Sequence, residues 1–436
     1  MNVILETILI AAYLLLFLYS INKHPFFIKS GIKPLWLSGL FVLKVGVGVV
    51  LYLIYTKFYA VRSDADIFKY FDDSQVVYNS LWTLPMDYFR LVFTSPPEND
   101  YFHDNYYNVM NYWANKHNSF FYGDSKFMIK LNALFRLFSF GSFHVHSLFF
   151  NFLSFIGLVS IYRAVKHLFS SHFHYLIAVV FCLPSVLFWT SSVLKESVLM
   201  LFLGVLIFNL QKLSQSVAQP RRLLYLIFAL VFLAMLKFYI LISLLFPIFS
   251  FMIVSHYKKP KVSLIYLSVI TLFTLLIFNS EFLFNVSFVE VLVLKQFDFL
   301  NLVANTSAGS YYEIPLLSPN FVSVGKAVPL GILNSFSRPF PSATISIMAI
   351  PAVLENVIIA IALLVAVPSM FKSSNWGNRE NRNVLIFQIS FTLVLFAIIG
   401  ITTPVAGALV RYKVAALPFL GVTLYYFIYK RYIEMK

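Results

Sequence analysis

Two carboxylates, Asp64 and Asp66 in S-D-A-D, follow Arg62 just beyond a long apolar run. Acids placed there can take the proton from a sugar hydroxyl, or hold a divalent cation such as Mg or Mn between phosphate oxygens. Asp72 and Asp73 follow in F-D-D, and Asp66 and Asp73, seven residues apart, share a face if 64–78 is helical. The stretch 57–124 holds nine of the chain's 18 acidic residues: Asp64, Asp66, Asp72, Asp73, Asp87, Glu98, Asp100, Asp104 and Asp124. It continues into Y-F-H-D-N-Y-Y-N-V-M-N-Y-W, whose rings and amides suit stacking on, and hydrogen bonding to, sugars. The plain alternative is a set of solvated acids on a loop.

The cations that stand out come later in the chain. Lys195-Glu196 closes L-P-S-V-L-F-W-T-S-S-V-L-K-E-S, Lys237-Phe238-Tyr239 sits between two apolar runs, Arg338 lies in S-F-S-R-P-F-P, and Arg411-Tyr412-Lys413 ends T-T-P-V-A-G-A-L-V-R-Y-K. A lipid phosphate or pyrophosphate would satisfy Lys195, Lys237, Arg338, Arg411 and Lys413 together, with arginine adding bidentate geometry. Structural pairing with Glu196, Glu313 or Glu355, or snorkelling lysines, would satisfy them as well. Glu355, inside an apolar run beside Asn356, needs a cation, and Lys44 inside the second apolar run needs partners too. His103, His117, His144 and His146 have no metal-ligand spacing.

The elements that must position these residues are membrane spans. The chain is 60% hydrophobic and 12% charged, with a mean hydropathy of +0.80, against about 25% charge in an ordinary soluble domain. A hydrocarbon core of roughly 30 Å asks for about 20 apolar residues per helix. On that measure eleven spans are expected, near 3–21, 35–56, 146–162, 174–190, 194–210, 223–237, 239–255, 263–279, 349–370, 384–402 and 413–429. The run Val3–Ile21 reads as a span rather than a cleavable leader. Cys182 is the single cysteine and excludes an intramolecular disulfide. The 49 Phe and 26 Tyr suggest lipid-facing rings and a cavity able to stack on a substrate.

Every second connection is basic: Lys23, Lys29 and Lys33; Arg163 and Lys166; Lys212, Arg221 and Arg222; Lys258, Lys259 and Lys261; Lys372, Arg379 and Arg382; Lys430, Arg431 and Lys436. By the positive-inside rule that side is cytoplasmic. The N-terminus is then expected outside and the C-terminus inside, and the turns near Ser191 and Lys237 lie outside. The net charge of +15 is accounted for by these loops, and no nucleic-acid partner is implied. A single integral membrane domain over 1–436 is expected, with two large outward segments. In 57–140, apolar Phe127, Leu131, Leu134, Phe135 and Phe138 recur at helical spacing, with Lys126, Lys130 and Arg136 elsewhere, as in an interfacial helix. The segment 280–346, rich in Ser, Asn, Gly and Pro, is expected to fold back as a partly ordered cap.

An acidic outward loop soon after an early span resembles the GT-C superfamily of polytopic glycosyltransferases, which use polyprenyl-phosphate or -pyrophosphate sugar donors. In that family an Asp of the first external loop is the usual catalytic base or metal-binding residue, and Asp64 and Asp66 in S-D-A-D match it. The L-P-S-V-L-F-W-T-S-S-V-L-K-E-S stretch is similar to a Pro-x-x-x-Phe-Trp-x-x-x-x-x-Lys-(Asp/Glu) hairpin in bacterial membrane proteins of this type. R-P-F-P and G-A-L-V-R-Y-K also look like outer-face segments of such proteins. Two spans, rather than one, precede the acidic loop, which brings the chain closer to polysaccharide polymerases and O-antigen ligases. Those resemblances imply sugar transfer from a lipid (pyro)phosphate to a glycan, lipid or protein acceptor at the outer face of a bacterial-type cytoplasmic membrane. Asp64 or Asp66 would act there as base, and Arg338 and Arg411 would hold phosphate, with Asp72, Asp73, Glu196, Tyr239 and Tyr412 in support. A transporter or flippase for a lipid-linked sugar is the competing expectation, although no internal repeat is visible. A non-catalytic membrane scaffold is the third.

Overall fold

A computed structural model describes residues 2–58, 61–94, 98–113, 124–215, 219–257, 261–306, 309–340 and 349–432. The described residues form helices and no strands. In chain order these are α1 (Val3–Lys23), α2 (Pro25–Ile28), α3 (Pro34–Phe58), α4 (Asp66–Thr83), α5 (Pro85–Phe93), α6 (Asp100–Phe102), α7 (Asp124–Ser139) and α8 (Phe143–Val165). Then follow α9 (Phe173–Phe181), α10 (Pro184–Trp189), α11 (Lys195–Gln215), α12 (Pro220–Leu236), α13 (Phe238–His256) and α14 (Val262–Phe278). The last are α15 (Ser280–Phe284), α16 (Phe288–Thr306), α17 (Phe321–Ser337), α18 (Ile350–Met370), α19 (Arg379–Thr402), α20 (Ala406–Lys413) and α21 (Leu417–Tyr432).

Seven of these are long and apolar enough to cross a membrane, starting at Val3, Pro34, Phe143, Lys195, Phe238, Ile350 and Arg379. An eighth span results if α20 and α21, bent by 67° at their junction, are taken together. The other expected spans fall on shorter pieces. The region 174–190 is split at Cys182-Leu183, where Pro184, lacking an N–H, opens a new helix. Helices α12 and α14 have 17 residues each, about 26 Å at 1.5 Å per residue.

The helices gather into two compact units, one of Met1–Ser160, Leu187–Ile207 and Leu224–Phe238, the other of Ile161–Val186, Phe208–Leu223 and Tyr239–Lys436. In the first, α8 and α11 meet backbone to backbone: a Cβ on Gly157 would stand 2.1 Å from the Met200 carbonyl oxygen, and one on Gly204 equally close to that of Gly157. Small residues permit such contact, which drives helix pairing where lipid replaces water. In the second unit α17 lies against α19 in the same manner through Gly331 and Gly400. The segment 280–346, expected as a loose cap, therefore contains a helix packed along a membrane-length one. Apolar residues with small ones between them let α17 do this within a segment rich in Ser, Asn, Gly and Pro.

The segment 57–140 is likewise built of packed helices. Arg136, expected on the polar face of an interfacial helix, is buried, and α7 turns Ser125, Met128, Ile129, Asn132, Ala133 and Arg136 inward. The reason is α4: the Arg136 guanidinium donates to Ser74 Oγ at 2.8 Å and to the Phe71 carbonyl at 2.6 Å, and lies 4.2 Å over the Phe71 ring. Burial lowers its pKa to about 10, which leaves it charged.

The turn near Ser191, expected at a membrane boundary, is instead a bend beside the middle of α3. Lys44 of α3 is buried and donates to the Thr190 carbonyl, to Thr190 Oγ1 at 2.6 Å and to Ser191 Oγ at 3.1 Å. Lys44 lies ten residues past the start of α3, about 15 Å along it. Asn151 Nδ2 donates to the Ser191 carbonyl at 2.8 Å and Ser154 Oγ to that of Thr190 at 2.8 Å. Irregular backbone at membrane depth needs such donors because no water supplies them, and the polar side chains supply them here.

Candidate functional site

In the first unit, the acidic stretch and the Lys195 segment meet around one ring. Asp66 opens α4, and Lys69 and Tyr70 follow it at i+3 and i+4, on the same face. Asp66 Oδ1 is 2.9 Å from Lys69 Nζ. Lys195 Nζ lies 4.7 Å from the centre of the Tyr70 ring and 2.6 Å from Asp124 Oδ2. Next to Lys195, Glu196 Oε1 takes Lys237 Nζ at 2.6 Å, with both side chains buried. Acids (Asp66, Asp124, Glu196) and lysines (Lys69, Lys195, Lys237) therefore alternate across the start of α4, α7 and α11 and the end of α12.

The turn carrying S-D-A-D is held from outside α4. Tyr112 OH donates to the Ser63 carbonyl at 2.7 Å, and Lys69 Nζ sits 5.1 Å over the Tyr112 ring. Burial alone would lower the Lys69 pKa, but the charge and hydrogen bond of Asp66 raise it. Asp73 is buried, accepting backbone N–H groups of Asn111 at 3.0 Å and Tyr112 at 2.7 Å. Burial raises its pKa despite those two donors. Asp73 thus anchors the Tyr-rich segment to α4, while Asp72 pairs with Arg62 in a bidentate contact at 2.8 and 3.0 Å. The backbone of Asp64 belongs to a short 3-10 turn, Arg62–Asp64; its side chain lies outside the described residues, as does His117. Among the described residues no group of three His, Cys, Asp or Glu side chains comes together. The carboxylate of Asp66 already faces an ammonium, a donor set that does not suit a divalent ion.

The second unit holds the late cations. Arg338 caps α17 and lies 4.9 Å over the Tyr312 ring; among the described residues no carboxylate stands at ion-pair distance from it. Tyr312 is fixed in turn by its OH to the Thr403 carbonyl at 2.8 Å and its N–H to that of Pro404 at 2.9 Å. Burial raises the Tyr312 pKa, with Arg338 opposing, so its hydroxyl remains a donor. Lys413 is directed inward: its Nζ donates to Asn356 Oδ1 at 2.7 Å and to the Arg338 carbonyl at 3.2 Å. Glu355 Oε2 accepts the Ser185 N–H at 2.8 Å. Arg411 and Tyr412 are half-buried on α20, and the Tyr412 ring lies 5.6 Å from that of Tyr239.

Of the residues expected to act together, Asp66, Lys195, Glu196 and Lys237 are thus neighbours in one unit, and Arg338, Lys413, Tyr239 and Tyr412 belong to the other. Sequence reasoning passed over Asp124, Lys69 and Tyr70 as site residues. The i+3 and i+4 spacing from Asp66 was the available signal for the last two; for Asp124 there was none, since its partner is 71 residues away. Structure and site together define an all-helical chain, among its described residues, with seven or eight helices fit to cross a membrane and an ion network, buried at Glu196 and Lys237, against its acidic segment. No family model, curated protein or solved structure matches it.

Proposed function

We infer that the chain is a membrane glycosyltransferase of GT-C-like architecture. It would move a sugar from a polyprenyl-phosphate or -pyrophosphate donor to a glycan, lipid or protein acceptor at the outer face of a bacterial-type cytoplasmic membrane. On this reading the shorter apolar helices complete eleven spans, with the N-terminus outside and the C-terminus cytoplasmic. The observation that carries it is that Lys195 of the K-E stretch lies 4.7 Å over the ring of Tyr70, which follows Asp66 by one turn of α4, while Asp66 itself pairs with Lys69 at 2.9 Å. The acceptor O–H would lose its proton to Asp66 (with Asp64 as the neighbouring candidate) as its oxygen forms a bond to sugar C1 and the bond between C1 and the phosphate oxygen breaks. The electron pair then leaves on phosphate, where cationic groups stabilise it. Arg338 and Arg411 are the phosphate ligands of choice, whereas the hydrogen bonds of Lys413 favour a supporting role.

A second reading, a transporter for a lipid-linked sugar, draws on the bend at Thr190–Leu194, because broken helices with polar backbone at mid-membrane are how transporters build sites. One experiment separates the two. Purified chain in lipid nanodiscs is given polyprenyl-phosphate and polyprenyl-pyrophosphate sugars with acceptor, and release of free polyprenyl (pyro)phosphate is followed. Release that falls at least a hundredfold in Asp66→Asn supports transfer. Full release in the Asp64→Asn/Asp66→Asn double variant removes the base assignment, and donor that crosses proteoliposome leaflets unconsumed favours transport.

A further inference from the structure

Helix α5 has its polarity reversed for a helix in water. Asp87 points inward with Tyr88, Leu91 and Val92, while Met86, Phe89 and Phe93 point out, 64%, 50% and 65% exposed. Positions 86, 89 and 93 form one stripe at helical spacing, and the Phe89 and Phe93 rings stack 6.2 Å apart. Trp82, at the end of α4, is 71% exposed and extends the patch. A buried carboxylate is costly unless bonded, and Asp87 is bonded: Tyr101 OH donates to its Oδ2 at 2.5 Å and Tyr106 OH at 2.9 Å. The fold thus commits two tyrosine hydroxyls to keeping an acid inside while large apolar side chains face out. Such a surface is stable where the medium against it is apolar.

We propose that this face is a membrane-docking surface, with Trp82, Met86, Phe89 and Phe93 immersed in the lipid leaflet next to α1. The occupant follows from how α5 is attached. Tyr88 OH donates to the Ala133 carbonyl of α7 at 3.3 Å, and Lys130 Nζ of α7 donates to the Thr94 carbonyl just after α5. The other end of α7 is tied to α1, a helix of membrane length: Tyr13 OH donates to the Phe138 carbonyl at 3.0 Å, and Ser142 Oγ to Glu6 Oε1 at 2.6 Å. Tyr13 lies ten residues past the start of α1, about 15 Å along it, so the end of α7 sits alongside the span rather than above it. Helix α5 therefore rides on an element already at lipid depth, and its apolar face continues a lipid-facing surface. Arg90, 55% exposed next to Phe89 with Nη1 3.9 Å from Asp87 Oδ1, keeps its outer guanidinium edge toward a phosphate headgroup, and tryptophan prefers the same interface. A second copy meeting this patch about a two-fold axis would bring two Arg90 side chains toward each other.

The inference stands apart from the sugar-transfer reading, and its test involves no activity. Full-length chain with Cys182→Ser and a single Phe89→Cys, carrying an environment-sensitive fluorophore, is placed in nanodiscs of phosphatidylcholine and phosphatidylglycerol. An Asp104→Cys label serves as the water-facing reference, since Asp104 is exposed. Brominated acyl chains are expected to quench the Phe89 label several-fold more than the Asp104 label, and aqueous iodide to do the reverse. Equal iodide quenching of both labels overturns the proposal. So does protection of the Phe89 label that appears only as chains are crowded into shared discs, which would assign the face to a second copy.

Discussion

Lys195 Nζ stands 2.6 Å from Asp124 Oδ2, and the pair joins the first residue of α11 to the first residue of α7. A helix N-terminus favours a negative charge and disfavours a positive one. Asp124 therefore stabilises its own helix while neutralising a lysine at an unfavourable position on another. With Glu196 and Lys237 beside it, this contact ties the acidic segment to the membrane-length helices of the same unit.

Breaking the Glu196–Lys237 pair from one side should cost more than removing it. Lys237→Met takes the ammonium away from a fully buried carboxylate, a loss of roughly 3–5 kcal/mol. Glu196→Gln/Lys237→Met should recover a large part of that. Thermal stability of the detergent-solubilised chain, followed by size-exclusion chromatography after heating, reads the difference; additive losses would show that the pair is not coupled.

Asp73 gives a pH dependence. Burial raises its folded pKa above the ordinary carboxylate value, so its stabilising contribution is complete below that ordinary value. It is lost as pH rises through the folded one. Amide hydrogen exchange at Asn111 and Tyr112 should quicken over that window in the wild type, after correction for intrinsic rates. Asp73→Asn should flatten the profile. Asp73→Ala removes the acceptor of two N–H groups and should weaken the segment at every pH, by about 1–3 kcal/mol for each unsatisfied group.

Arg338 and Lys413 should separate by phenotype. Arg338→Ala is expected to weaken binding of polyprenyl phosphate about tenfold, near 1.4 kcal/mol, with folding unchanged, because its guanidinium lies over the Tyr312 ring and makes no ion pair among the described residues. Lys413→Ala removes the donor to Asn356 and to the Arg338 carbonyl, and should lower the yield of folded chain. Titration of each variant with the lipid, together with its folded yield, decides; equal affinity in Arg338→Ala and wild type counts against the phosphate role.

Gly157→Leu should prevent assembly of the first unit. A single added Cβ already lies 2.1 Å from the Met200 carbonyl oxygen, and the obstacle is backbone, which no rotamer change relieves. Gly39→Leu, where a Cβ meets nothing within 4 Å, should be tolerated. Folded yields of the two variants compare the positions directly.

The helical, membrane-length character of this chain is legible in its residues alone, because hydropathy over about 20 residues is a local property that any packing must respect. They also mark Lys195, Lys237, Glu355 and Lys44 as charges in need of partners, since burial of an ion is costly whatever surrounds it. Which partners those are comes from packing between distant segments. Lys44 answers to the carbonyl of Thr190, 146 residues away, and Lys195 to Asp124 rather than to any glutamate. That packing also turned Arg136 and Asp87 inward against their polarity. Those outcomes depend on which groups a neighbouring helix presents, and periodicity along one segment carries no information about its neighbour.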